Sequence, residues 1–70
     1  LIIDDKKIAN YRRLRALFRE CTQAWERASD AGEPEYRVKA LYTAALNADD
    51  ARYQARASVI NDLYEELDKP

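Results

Sequence analysis

Apolar residues in the first half of the chain recur at Tyr11, Leu14, Phe18, Cys21, Trp25 and Ala28, alternately three and four positions apart. That spacing predicts an amphipathic helix with a seam of the coiled-coil type. Between Asp4 and Ala31 there is no proline or glycine to interrupt it. Tyr11, Phe18 and Trp25 sit one heptad apart, so three aromatic rings line one ridge of a helix roughly 40 Å long. Gly32 is the natural stop for this helix. Pro34 follows where a first helical position tolerates proline, and Glu33 and Glu35 lie beside the positive end of the next helix dipole.

The second half carries its apolar residues at Val38, Leu41, Tyr42, Ala45, Tyr53, Val59, Ile60, Leu63 and Leu67. On a helical wheel Asp49, Arg52 and Arg56 fall inside the same arc, where a straight helix would bury three charges. The segment "NADD", residues 47 to 50, offers a break: Asn47 can take the left-handed conformation that ends a helix, and Asp49 can cap the next. The expectation is therefore an all-α small antiparallel bundle of three helices, at about 5–31, 34–46 and 50–68. The alternative is a two-helix hairpin with nearly equal arms, a shape that commonly dimerises into a four-helix bundle.

Seventy residues make one small domain, which buries only about 60% of the surface its unfolded chain exposes. Such a domain needs a disulfide, a metal, a partner or closely packed helices for useful stability. The single cysteine, Cys21, has no internal partner, and without histidine there is no plausible zinc ligand set. Packing or partnership is left to supply the stability. Methionine is absent even at position 1, from which a processed chain, or a domain of a longer one, is expected. No run of residues is long and apolar enough for a membrane span, and a lone thiol without a secretion signal fits a reducing, cytoplasmic setting.

The residue inventory argues against enzymatic chemistry. Histidine, the commonest acid-base group at neutral pH, is missing, and one glycine cannot build a phosphate-cradling loop. Cys21 lies on the apolar seam with no base beside it, which reads as a core thiol rather than a nucleophile. The acidic pairs Asp4-Asp5, Asp49-Asp50 and Glu65-Glu66 are adjacent in sequence, so their side chains point ~100° apart on a helix and do not converge. No catalytic group, metal or cofactor is expected.

Two features remain as candidate binding chemistry. The aromatic ridge of Tyr11, Phe18 and Trp25 would serve either as core or as an interface seam for a protein partner or a second copy. The stretch "KKIANYRRLRALFRE" has six basic side chains before its first acidic one, and Arg12, Arg15 and Arg19 align on one flank of the helix. Such a stripe could track an anionic partner, including nucleic-acid phosphates. In a hairpin, however, Arg15 and Arg19 would lie near Asp49 and Asp50, where internal pairing would account for them. A net charge of -1 also differs from the strongly basic balance of dedicated nucleic-acid binders. The leading expectation is a non-enzymatic helical interaction or oligomerisation module, with a small nucleic-acid-binding regulator as the alternative.

Overall fold

The computed structural model describes residues 4–69, and these form two helices, α1 (Asp5–Asp30) and α2 (Glu35–Leu67), packed as an antiparallel hairpin. The hairpin is a rod of 57 × 14 × 13 Å. Helix α1 begins where Asp4, in an extended conformation, accepts a hydrogen bond from the Lys6 amide at 2.9 Å. That carboxylate satisfies one of the amides the first turn leaves without an intrahelical partner.

The turn between the helices is built on Gly32, whose φ of +68° is the left-handed value that a side chain would strain. Its amide donates to the Ser29 carbonyl, and the Glu33 amide reaches back to Ala28 at 3.1 Å. This pair of reversed bonds is a Schellman closure, which ends a helix and turns the chain away. Pro34 stands just before α2 and not at its first helical position. With φ −53° and ψ 143° it is extended, and its carbonyl accepts from the amides of Arg37 and Val38. Glu33 then pairs with Arg37 at 2.8 Å across the first turn of α2.

The expected break at residues 47–50 is absent: α2 runs without interruption for 33 residues, and the three-helix arrangement gives way to the hairpin. Asn47 does not adopt the left-handed conformation, since Gly32 is the only described residue with positive φ. Two causes combine. Ala44, Ala45, Ala48 and Ala51 give this stretch strong helix propensity, and a break would remove Ala45 and Ala48 from the face of α1 on which they are buried. The charges that argued for a break are also less costly than a buried set, because Arg52 and Asp49 pair with each other along the helix and remain partly in water.

The inward faces follow one spacing rule. Along the seam, Lys7, Tyr11, Leu14, Phe18, Cys21, Trp25 and Ala28 of α1 and Val38, Leu41, Ala45, Ala48, Arg52, Ala55, Val59 and Asp62 of α2 all lose solvent, while flanking residues such as Thr22, Asp49, Ile60 and Leu63 are half-buried as well. Both sets alternate by three and four, the pattern of helices packing seam to seam. The seam of α1 is made mostly of large residues, and that of α2 includes the small Ala45, Ala48 and Ala55. Only Ala28, Ala45 and Ala48 are buried outright, and no large side chain is fully covered. Trp25 and Cys21, expected in a core, are half-buried. A hairpin has two layers in one direction only, so each seam side chain keeps one flank in solvent.

Candidate interaction surface

Within the hairpin, the aromatic ridge of α1 faces α2. Trp25 packs against Tyr42 with ring centroids 5.5 Å apart and planes tilted by 52°, a geometry that aromatic quadrupoles favour. Phe18 lies under the guanidinium of Arg52, 5.0 Å from ring centre to Cζ. Arg52 in turn donates from Nε to Oδ1 of Asp49 at 3.1 Å, and a second nitrogen of the fork reaches the same oxygen. The hydrogen bond to Asp49 raises the Arg52 pKa, against a desolvation that lowers it, with a smaller contribution from the Tyr11 phenol. Tyr11 also carries the Arg15 guanidinium 5.8 Å from its ring centre. Thus Tyr11, Phe18 and Trp25 are each engaged within the chain, and each keeps part of its surface open.

The end of the rod opposite the turn is polar. Lys7 of α1 reaches Asp62 of α2 at 2.7 Å, the one ion pair among the described residues that joins the two helices. The hydrogen bond that Lys7 donates to Asp62 raises the Lys7 pKa above its ordinary value. Around it Asp4, Asp5, Lys6, Glu65, Glu66 and Lys69 line an open depression. No group of three metal-ligating side chains converges there or elsewhere among the described residues.

Arg12, Arg15 and Arg19 lie exposed on α1, and the pairing expected of Arg15 and Arg19 with Asp49 and Asp50 does not form. Asp49 is taken by Arg52, and Asp50 accepts a bond from Gln54 on its own helix. Both acids prefer partners one turn away, which need no reach across the groove.

Six of the seven large apolar residues exposed among those described lie on α2, Tyr36 and Tyr64 among them. Leu46, Tyr53 and Leu67 are 51%, 66% and 66% exposed, and Tyr42 is 46% exposed despite its contact with Trp25. With Asp49, Arg56, Ile60 and Leu63 they form a second stripe, again spaced by three and four, one position beyond the inward seam. Tyr53, Arg56, Ala57 and Ile60 shape a shallow groove along it. The arc read from the sequence merged these two stripes into one. The signal was present in the alternation 42, 46, 49, 53, 56, 60, 63, 67, which is offset by one residue from 41, 45, 48, 52, 55, 59, 62.

No family model, curated protein or solved structure matches this chain. Among the described residues no helix is long and apolar enough to cross a membrane.

Proposed function

We propose that the protein is a non-enzymatic helical interaction module whose working surface is the outer stripe of α2. The observation that carries this reading is the contrast between an interior of three buried alanines and a row of large apolar side chains left in water. Isolated helices gain most of their stability in proteins from packing an apolar face, and a two-helix chain with one thin seam gains little. Exposed apolar side chains grouped on one face are also a common mark of a protein contact. Tyrosine at Tyr42 and Tyr53 suits such a surface, because it supplies contact area with a hydroxyl that tolerates water. Tyr11, Phe18 and Trp25 would support the stripe from behind, with Trp25 holding Tyr42 in place.

The test is a triple variant, Leu46→Gln, Tyr53→Gln and Leu67→Gln, studied at high dilution. Helix content should be unchanged, while binding of a dye that fluoresces on apolar surfaces should fall several-fold. Unchanged dye binding, or collapse of the helices, would show that the stripe is not a spare docking face.

A second reading rests on Arg12, Arg15 and Arg19, which stand exposed with no acidic partner among the described residues. They would serve an anionic ligand such as nucleic acid, since arginine forks match phosphate oxygens. Binding of a short duplex that weakens steeply with salt, and that is lost when the three become glutamine, would support it. Salt-independent or absent binding would remove it.

A further inference from the structure

We infer that the occupant of the outer stripe of α2 is the same stripe on a second copy of this chain, run antiparallel. This rests on the reading of that stripe as an interaction surface and goes further by naming the partner and the register. The argument begins with the two charges inside the stripe. Asp49 and Arg56 are seven residues apart on the same face, with apolar residues on either side of them. A parallel pairing would set Asp49 against Asp49 and Arg56 against Arg56, a repulsion that works against association. An antiparallel pairing reverses the order and brings each acid to a base.

The register follows from matching the apolar ends. Placing Tyr42 level with the partner's Leu67 and Leu46 level with the partner's Leu63 uses every large side chain of the stripe. Arg56 then stands beside the partner's Tyr53, and the partner's Asp49 is one helical turn away, ~6 Å along the axis and within an arginine's reach. Asp49 is able to accept it: both bonds from Arg52 go to Oδ1, which leaves Oδ2 for a second donor. The arrangement is isologous, so the acid-base pair forms twice by symmetry.

The other helix sets the limits of the contact. In an antiparallel hairpin the residues that follow the seam positions on both helices share one face, and on α1 these include Arg12, Arg15 and Arg19. A full sandwich with α1 on α1 would press two arginine rows together. The contact is thereby confined to α2 on α2, about 38 Å long between Tyr42 and Leu67 and roughly 11 Å wide. That covers roughly 400 Å² per chain, below the size of a standard stable interface, so the dimer should be weak and transient, with a dissociation constant on the order of tens to hundreds of micromolar.

The experiment is sedimentation of the full chain at physiological salt, from about 1 to 500 µM, a range that brackets that affinity. The wild type should pass from one chain mass towards two. Arg56→Glu alone and Asp49→Arg alone should each weaken dimerisation at least ~10-fold, because each places like charges together twice. An equimolar mixture of the two variants should recover to within about three-fold of wild type, since every pair in that heterodimer is again opposite in sign. A second mixture, Leu46→Glu with Leu63→Lys, should behave likewise and guards against an effect of Asp49→Arg on the hairpin itself. Several results would overturn the inference: a wild type that stays monomeric throughout, a dimer indifferent to the single variants, or mixtures that fail to recover. A monomeric wild type whose stripe still binds the apolar-surface dye would remove only the second copy as partner. A monomer without dye binding would remove the interaction reading as well.

Discussion

Helices α1 and α2 solve the same packing problem with different amounts of apolar surface. On α1 one seam is apolar, that seam faces α2, and Leu17 at 41% is the only large hydrophobic residue left exposed among those described. Helix α2 has two apolar stripes side by side. The inner one is made mostly of alanine and valine and faces α1; in the outer one Tyr42 meets Trp25, Ile60 and Leu63 are half-buried, and Leu46, Tyr53 and Leu67 are left exposed. On α2 the smaller side chains therefore face α1, and most of the larger ones face out. In a chain selected only to fold as a monomer the sizes would be reversed, since bulky residues contribute more on burial. The asymmetry between the helices is the physical basis for placing function on α2.

The comparison breaks most readily at its strongest internal contact. Trp25→Ala removes the ring that meets Tyr42 and should cost about 2–3 kcal/mol, below the ~3–5 kcal/mol of a fully buried aromatic because Trp25 is only half-buried. Chemical denaturation of the monomer measures it. A loss near zero would mean that the α1 ridge does not hold α2.

The two stripes should also respond oppositely to enlargement and truncation. Ala48→Leu forces a bulky group between helices that approach closely at a position only 6% exposed, and should cost ~1–3 kcal/mol. Leu46→Ala, two residues earlier but on the outer stripe, should change monomer stability by less than about 0.5 kcal/mol. Equal effects from the two would erase the distinction between the stripes.

A smaller effect is expected at the polar end. Asp62 raises the Lys7 pKa, so the folded chain holds that proton more tightly than the unfolded one. The contribution is complete below the ordinary lysine value of 10.5 and is lost as pH rises through the higher folded value. Spin labels placed on exposed positions near residues 9 and 61 should separate more above that pH in the wild type. In Lys7→Met the extra opening should vanish, which distinguishes it from the ionisation of the five tyrosines. An identical pH response in both would assign the opening elsewhere.

The least perturbing change is Thr22→Val. The Thr22 hydroxyl is buried without a hydrogen-bond partner, so an isosteric methyl should leave the melting temperature equal or slightly higher. A clear drop would reveal a partner for that hydroxyl.

Much of the architecture was legible from spacing alone. The α1 seam, its approximate bounds and the stop at Gly32 follow from three-four alternation and from the conformational freedom of one glycine. The continuity of α2 is not legible, because a helical wheel places Asp49, Arg52 and Arg56 in the apolar arc without showing how Arg52 lies over Phe18 and reaches Asp49. Nor is the separation of two stripes, since apolarity alone does not tell alanine seams from leucine seams; side-chain size does. The arginine flank was placed correctly on α1, but its supposed acids chose nearer partners.

The claim that α2 carries one spent and one unspent stripe is tested most directly by residue-resolved solvent access. A soluble nitroxide added to the dilute, monomeric protein should strongly broaden the side-chain NMR signals of Leu46, Tyr53 and Leu67 while sparing Leu41, Ala45 and Ala48. If the outer signals are as protected as the inner ones in the monomer, α2 has no spare face and the account fails.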